Sequence, residues 1–363
     1  MPADTQSLLQ LVSVFNLVKI FTVLTLAFFC TLILTPLWTR IIFKYRLGKQ
    51  MRPADSAPVF HDLHKGKEGT PTTGGVLIWA TVAMLTMLFW TLSHFAEGFW
   101  SRINFLSRAQ TWLPLAALVV AGVLGFSDDL LGVLRRGPRG GGMQMKLKIG
   151  LYTLMGILGA WWFYAKLEFN TINIPFFGDI FVGWWYIPFF VLVIFSTAFS
   201  ANETDGLDGL AGGVFLTMFA AYSVIAFDQG RINLVAFIAA IIGSLIAFLW
   251  FNIFPARFFM GDTGSMSLGV TLGVIAMLTN TPLLLIPIAC IFIIESGSVI
   301  VQMLSKKFRG TKVFLSTPIH HHFEAKGWHE TRVTMRFWMV SAIGAIIGLI
   351  IFLVDSKIPP LLR

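Results

Sequence analysis

Three acidic residues and an asparagine follow an uncharged apolar run at residues 200–213, SANETDGLDGLAGG. They are Asn202, Glu203, Asp205 and Asp208. Carboxylate and amide oxygens bind Mg²⁺, and a bound Mg²⁺ in turn binds the phosphate groups of a substrate. The motif therefore predicts part of a Mg²⁺–diphosphate site at a membrane surface.

Helix capping is the alternative explanation for this motif. Asp205, with Asn202 or Thr204, would satisfy the free N–H groups at the start of the next helix. Asp208 would then lie one turn later on the same helix face, near the membrane boundary, where a carboxylate needs a partner. Capping therefore explains at most two of these residues.

Two further acidic motifs flank apolar runs. Asp128 and Asp129, in GFSDDLLG, end a run at the position of a helix C-terminus, where the helix dipole disfavours anions. Asp262 lies in GDTGS, where glycines allow close backbone approach and Thr263 or Ser265 can cap the next helix. The second motif predicts a helix N-terminus that binds phosphate beside a carboxylate, although the same residues also make an ordinary turn.

Three consecutive histidines stand at 320–322 in HHHFE. Neighbouring residues of a helix point about 100° apart, so three in a row cannot bind one metal ion. Hydrogen bonding to a polar substrate is the favoured interpretation, with a solvated tract as the alternative. Lys67, Lys146 and Lys148 add positive charge, and lysines that neutralise phosphate oxygens beside Mg²⁺-binding carboxylates are typical of phosphoryl transfer.

The elements that position these residues are membrane helices. The chain has 363 residues, of which 56% are hydrophobic and 12% charged, and its mean hydropathy is +0.77. Runs of ~20 apolar residues, the length that crosses a bilayer, recur roughly ten times. They lie at 18–42, 73–93, 111–127, 149–166, 184–201, 210–227, 232–251, 265–281, 284–304 and 337–354. The sequence thus predicts a single all-α polytopic membrane domain over residues 1–363, without a removable signal peptide.

The basic residues indicate the orientation of these helices. The net charge of +9 comes from Lys and Arg gathered in alternate loops, which is the positive-inside pattern and does not indicate nucleic-acid binding. We therefore assign these loops, and all the polar motifs, to the cytoplasm and both termini to the outside. The basic residues concerned are Lys44, Arg46, Lys49, Arg52, Lys65, Lys67, Arg135, Arg136, Arg139, Lys146, Lys148, Lys306, Lys307, Arg309, Lys312, Lys326, Arg332 and Arg336.

Two smaller features complete the sequence prediction. Residues 167–183, LEFNTINIPFFGDIFVG, alternate enough to form a small external β-hairpin. Cys30 and Cys290 lie within apolar runs and are expected to be inert hydrophobic residues without a disulfide.

The motifs together resemble a known family. KEGTPTTGG, FSDDLLG, NETDGLDGLAGG, FNIFPARFFMGDTGS and PIHHHFE resemble the polyprenyl-phosphate N-acetylhexosamine-1-phosphate transferases, in order and over about residues 60–340. PIHHHFE and GTPTTGG are similar to the branch of that family that serves peptidoglycan synthesis. The resemblance implies ten helices, Mg²⁺ as cofactor, and transfer of phospho-MurNAc-pentapeptide from UDP-MurNAc-pentapeptide to undecaprenyl phosphate. The products would be lipid I and UMP, and the setting the bacterial inner membrane; related enzymes often form homodimers.

The resemblance also implies roles for individual residues. Asp262 binds Mg²⁺ with Asn202 as a second ligand, while Asp128 deprotonates the lipid phosphate with support from Asp129. Lys148 matches a lysine that is important for activity. The positions around the uridine and ribose are Lys67, Asp205, Asp208, Asn252 and Phe259, and those on the sugar–peptide side are His320, His321 and His322.

The chain departs from the family pattern at the edge of these motifs. Glu203 replaces an apolar residue, Phe199 an asparagine and Gly132 a lysine, and TPTTGG replaces the commoner TPTMGG. Two other functions are alternatives to this one. A transferase of UDP-GlcNAc or a related sugar would not need the triple histidine, and a transporter would need polar residues near the middle of the membrane and inverted repeats.

Overall fold

The computed structural model describes residues 3–45, 47–48, 67, 69–95, 97–108, 110–137 and 141–357, and only the backbone of residues 3–12 and 99. The predicted loop residues Arg46, Lys49, Arg52, Lys65 and Arg139 lie outside this part of the chain. In chain order the helices and strands are α1 (Ala3–Lys44), α2 (Val76–Phe95), α3 (Phe99–Ile103), α4 (Trp112–Val133), α5 (Met145–Lys166), β1 (Thr171–Ile174), β2 (Gly178–Phe181), α6 (Tyr186–Thr204), α7 (Leu210–Asp228), α8 (Ile232–Asn252), α9 (Gly261–Leu278), α10 (Leu285–Ile288), α11 (Cys290–Arg309), α12 (Ile319–Ala325) and α13 (Glu330–Lys357).

The prediction of an all-helical polytopic membrane protein is confirmed. Among the described residues, eight helices are long and apolar enough to cross a membrane, and a ninth counts if the pair Pro282–Ile288 and Cys290–Arg309, bent by 83°, is one span. Each of the ten predicted spans falls on a helix. The fourth predicted span, α5, has 22 residues and is long enough to cross a membrane. It is less apolar than the eight helices above, because it carries two lysines in its first turn and is rich in tryptophan and tyrosine.

Helix α9 forms the centre of the bundle, with every one of its 18 residues except Asp262 buried. It packs against α2, α4, α6 and α7. Small residues permit this, since helices in lipid associate through close backbone packing. A Cβ on Gly269 would lie 2.7 Å from the Cβ of Ala201, and one on Gly264 would lie 2.9 Å from the Cα of Gly75. Gly264 of GDTGS and Gly269 one turn later therefore bring α9 against its neighbours.

The predicted hairpin is present as β1 and β2, which pair antiparallel with Thr171 opposite Phe181 and Ile174 opposite Gly178. The end of α9 supports it, because Asn280 accepts a hydrogen bond from the Asn173 N–H at 3.2 Å. Asp355, near the end of α13, accepts one from the Phe176 N–H at 2.8 Å. These contacts place the hairpin at the end of the bundle opposite the start of α9.

Candidate active site

The N-terminus of α9 is held by carboxylates from two other parts of the chain. The Gly261 N–H donates to Asp205 Oδ2 at 3.0 Å. The next two N–H groups, of Asp262 and Thr263, donate to the two oxygens of Asp129, each at 3.1 Å. The first free N–H groups of a helix attract anions. Here those anions belong to the protein.

This arrangement corrects two expectations from the sequence. Thr263 does not cap α9, since its hydroxyl donates to the Gly122 carbonyl at 2.9 Å, and no side chain next to the helix start takes that role. The N–H groups expected to bind a substrate phosphate are occupied by Asp129 and Asp205. The sequence pattern identified a helix start that binds anions but not which anions bind there.

Helix α4 reaches α9 because its facing residues are glycines. A Cβ on Gly125 would lie 2.2 Å from the carbonyl oxygen of Asp262. The helix also continues to Val133, so Asp128 and Asp129 lie before its last turn and not at its end as predicted. Their charges are therefore balanced by partners across the helix interface.

Asp128 and Asp262 share one lysine. Lys148 forms ion pairs with Asp128 Oδ2 and with Asp262 Oδ2, and the Asp128 side chain is 3% exposed. The other oxygen of Asp128 accepts a hydrogen bond from the Met143 N–H. The Asn202 amide donates to Asp262 Oδ1 at 2.6 Å. The structure thus brings together three predicted catalytic or metal-binding residues from α4, α5 and α9, with a fourth from α6.

Among the described residues, no group of three or more His, Cys, Asp or Glu residues is arranged to hold a metal ion by itself. Mg²⁺ does not need such a group, because it binds through one or two carboxylates, water and substrate phosphates. Two carboxylates that converge on a single ammonium group, with an amide beside them, fit a divalent cation of this kind. Asp262 and Asn202, which are in contact, are the residues that could hold such a cation.

The segment 205–209, DGLDG, is a turn between α6 and α7 and not the first turn of a helix. The alternative explanation, in which Asp205 caps the helix of the sixth span and Asp208 lies one turn later on that helix, is therefore wrong. Asp208 is 4% exposed; its two oxygens accept hydrogen bonds from Lys67 at 2.7 Å and from the Ala256 N–H at 2.9 Å. Glycine at 209 adopts φ +73°, a conformation that favours glycine and starts α7 at Leu210.

Lys67 is held between two carboxylates, Asp208 and Glu330. Its ammonium group also lies 5.9 Å from the centre of the Phe259 ring. Asn252 is buried with both ends of its amide in use, accepting from the Gly209 N–H at 3.2 Å and donating to the Phe258 carbonyl at 2.9 Å. Asn252 was predicted to bind the nucleotide, but in the structure it joins the backbone at Gly209 to the backbone at Phe258 and so supports the site.

The three histidines have three different sets of partners. His320 is 0% exposed, and its Nδ1 lies 3.0 Å from Glu295. His321 Nδ1 lies 2.7 Å from Glu324, and His322 Nδ1 accepts a hydrogen bond from the Leu315 N–H at 3.1 Å. The three imidazoles therefore differ in burial and in hydrogen bonding, although they are consecutive in the sequence.

Glu324 and His320 have displaced pKa values. Burial raises the pKa of Glu324 to about 7, and the negative charges of Glu330 and Asp208 act in the same direction. Burial lowers the pKa of His320, but the attraction of Glu295 outweighs burial and raises it above the ordinary value. His320 also lies against Gly206, where a Cβ would be 2.2 Å from Nε2. The histidines and the 205–209 turn therefore form one site with Lys67.

Known proteins resemble this chain over nearly all of its length. A family model described as glycosyl transferase family 4 matches residues 111–280. A phospho-N-acetylmuramoyl-pentapeptide-transferase of Listeria monocytogenes is 40% identical over 344 residues, 93% of this chain and 98% of the relative. One of Chloroflexus aggregans is 34% identical over 96% of this chain and 93% of the relative. The chain belongs to the phospho-N-acetylmuramoyl-pentapeptide transferase family.

In this transferase, the candidate active site also includes residues that lie before and after the matched region 111–280. That region contains Asp128, Lys148 and Asp262. Lys67 lies before it, while the histidines and Glu330 lie after it, and the ion pairs described above bring them to the same place.

Three acidic residues of this site were missed in the sequence. Glu295 stands alone in the apolar run IFIIESGSVIV, and a carboxylate in a membrane span predicts a buried partner. It is 0% exposed and pairs with His320. Glu324 and Glu330 resemble ordinary charged loop residues in the sequence. Only the fold shows them to be buried beside His321 and Lys67.

Proposed function

We propose that the chain transfers phospho-MurNAc-pentapeptide from UDP-MurNAc-pentapeptide to undecaprenyl phosphate, forming lipid I and releasing UMP in peptidoglycan synthesis. The observation that carries this proposal is the similarity, over more than nine-tenths of the chain, to transferases of that name. A polytopic helix bundle with lysines and paired carboxylates at one end supports it, since the acceptor is a membrane lipid and both substrates carry phosphate.

The residues divide into two groups along the site. Lys67, with Phe259 beneath its ammonium group and Asp208 beside it, would hold the uridine nucleotide. Lys148, Asp128 and Asp262 would face the phosphates that react. Asp128 is our candidate for the base that accepts the proton of the undecaprenyl phosphate, whereas Asp129 holds the start of α9.

Mg²⁺ is the cofactor we propose, held by Asp262 and Asn202. When bound, it supplies positive charge that neutralises phosphate oxygens during transfer. Asn202 already contacts Asp262, and turning its amide would present an oxygen in place of the NH₂ group. The His320–Glu295 and His321–Glu324 pairs would orient the imidazoles toward the sugar–peptide part of the donor.

We further propose that the site faces the cytoplasm of a bacterium, from the inner membrane. Among the described basic residues, Lys146 at the start of α5 and Lys306, Lys307 and Arg309 at the end of α11 lie at the end of the bundle that bears the site. The positive-inside rule assigns such an end to the cytoplasm. The hairpin would then be external. A homodimer is the assembly that resemblance to related enzymes implies.

A donor comparison tests the activity. Purified protein with undecaprenyl phosphate and Mg²⁺ should release UMP from UDP-MurNAc-pentapeptide and form lipid I. UDP-GlcNAc should give little or no UMP, because it lacks the peptide. Equal or faster release from UDP-GlcNAc would favour a sugar-1-phosphate transferase without peptide specificity and contradict the proposal.

Asp262→Asn tests the metal site. An amide is a poor Mg²⁺ ligand, so turnover should fall by more than the ~10–100-fold that loss of an outer-shell partner costs. The Mg²⁺ concentration for half-maximal rate should rise as well. Asp228→Asn, an exposed acid at the hairpin end of α7, is the control and should leave both values unchanged. Near-full activity of Asp262→Asn at ordinary Mg²⁺ would exclude Asp262 as the ligand.

A further inference from the structure

The hydroxyl of Tyr152 is buried without a hydrogen-bond partner among the described residues. The side chain is 2% exposed, on α5. A buried hydroxyl without a partner loses its hydrogen bonds to water and gains none in return, so it destabilises the fold unless something else uses it. The position of this hydroxyl suggests what that is.

Tyr152 follows Lys148 by four residues on α5, so the two side chains lie on the same helix face. Lys148 in turn forms ion pairs with Asp128 and Asp262. The Tyr152 ring is held in place edge-on by Phe195 of α6, with ring centres 6.2 Å apart. Tyr152 therefore lies one helical turn from the lysine that joins Asp128 and Asp262.

A second tyrosine shows what a purely structural position looks like. Tyr186, at the start of α6, is also buried with an unpaired hydroxyl. It lies at the opposite end of α6 from Asn202, the residue of that helix that contacts Asp262. Its ring packs against Phe163, with centres 6.4 Å apart. The two tyrosines thus share burial and a missing partner and differ in whether the charged cluster is near.

We propose that the Tyr152 hydroxyl donates a hydrogen bond to a phosphate oxygen of the substrate, beside Lys148 and Asp262. This inference rests on the proposed function. A phosphate oxygen is the acceptor that a lysine in this cluster attracts, and a neutral O–H adds a hydrogen bond there without adding charge. The phosphate belongs either to the diphosphate of the nucleotide donor or to the monoester of the lipid acceptor.

Tyr152→Phe removes only the hydroxyl and tests this directly. In the full-length protein, kcat/KM for one of the two substrates should fall about 10- to 100-fold, as expected when one hydrogen bond to a charged group is lost. Varying the donor at saturating acceptor, and the reverse, identifies which phosphate is bound. Stabilisation of the protein by UDP-MurNAc-pentapeptide or undecaprenyl phosphate, followed as the Tm shift, should shrink for the same substrate.

The melting temperature of the free protein provides the second readout. Since the hydroxyl has no protein partner, Tyr152→Phe should leave the Tm unchanged or raise it slightly. Tyr186→Phe is the matched control, and it should behave the same way in Tm while keeping full activity. A purely structural role for Tyr152 would not separate activity from stability.

The outcomes are distinct. If Tyr152→Phe keeps kcat/KM within twofold of wild type for both substrates, the inference is wrong while the proposed function stands. A drop of several degrees in Tm with the loss of activity also overturns it, because it reveals a structural partner. Wild-type protein that releases no UMP from UDP-MurNAc-pentapeptide would contradict the proposed function and this inference together.

Discussion

Adjacent residues in this site have unlike surroundings, and Asp128 and Asp129 show it most clearly. Both oxygens of Asp129 accept backbone N–H groups of α9, whereas Asp128 is paired with Lys148. Successive side chains of a helix point about 100° apart, so one acid faces the helix start and the other the lysine. We therefore expect different consequences when each is neutralised.

Rate–pH profiles separate the two acids. A general base contributes about 10²–10⁴-fold, and it matters less once the substrate phosphate, with a second pKa near 6, is already ionised. The loss in Asp128→Asn should shrink as pH rises. Asp129→Asn should lose activity evenly across pH and lower the Tm, since an amide offers one acceptor oxygen where the carboxylate offers two.

The measurement is made at saturating Mg²⁺ with both variants and the wild type. A defect in Asp128→Asn that does not change with pH would assign this residue an electrostatic or structural role and end the general-base proposal. An unchanged Tm in Asp129→Asn would contradict its role in holding α9.

Glu324 predicts how stability varies with pH. Its pKa is raised from an ordinary 4.5 to about 7. Between these values the folded protein keeps a proton that the unfolded chain has lost, so its contribution to stability is complete below pH 4.5 and is lost as pH rises through 7. The free energy of unfolding of the wild type should fall over this range by up to about 1.4 kcal/mol per pH unit for this group, and the Tm should fall with it.

Glu324→Gln keeps the neutral form at every pH and should flatten this slope. The remaining slope is expected from His320, whose raised pKa also makes stability fall with rising pH. Tm measured in detergent between about pH 5 and 8 checks the comparison. A variant whose slope matches the wild type would show that Glu324 does not titrate in this range.

At the scale of helices, the crossing of α2 and α9 depends on two glycines. A Cβ on Gly75 would lie 2.3 Å from the Cα of Gly264, and the Gly75 N–H donates to the Met260 carbonyl at 2.9 Å. The motif TPTTGG is thereby joined to the segment that leads into Asp262. A side chain at Gly75, directly before α2, would therefore clash with the backbone of α9.

Gly75→Ala should force the two helices apart. Overpacking of this kind costs about 1–3 kcal/mol, so the Tm should fall by several degrees and activity should fall with it as Asp262 moves. Gly297→Ala is the control: that glycine lies inside α11 with nothing within 4 Å of the added Cβ. It should be neutral or more stable by about 0.5–1 kcal/mol. Equal behaviour of the two variants would refute the role of the crossing.

At the scale of the molecule, the two ends of the bundle differ in charge and in content. The active-site end bears Lys306, Lys307 and Arg309, and the other end bears the hairpin. If the positive-inside rule holds, an exposed position such as Lys312 faces the cytoplasm and Glu97 faces outward.

Single-cysteine labelling of intact cells tests this orientation. In a background without Cys30 and Cys290, an impermeant thiol reagent should modify Glu97→Cys and leave Lys312→Cys untouched until the cells are opened. Both are exposed in the structure, so protection reflects the membrane and not burial. Modification of Lys312→Cys from outside would reverse the assignment of the active-site face.

Much of the fold could be predicted from local patterns. Apolar runs of about 20 residues identify membrane helices, because lipid leaves backbone groups no partner outside the helix. The alternation at 167–183 predicted the hairpin in the same way. Helix ends were predicted less well: α4 continues to Val133, beyond the predicted end at 127, and α9 begins at Gly261, before the predicted start at 265. Their ends depend on contacts from other helices.

The residue types of the motifs, read from the sequence alone, determined the kind of chemistry: carboxylates for a cation and lysines for phosphate. Only the tertiary structure decided which group meets which. Lys67 and Glu330 are 263 positions apart, and Lys148 and Asp262 are 114 apart. No local pattern encodes such pairs, because helix packing brings them together. For the same reason the start of α9 is held by Asp129 from α4 and not by its own Thr263.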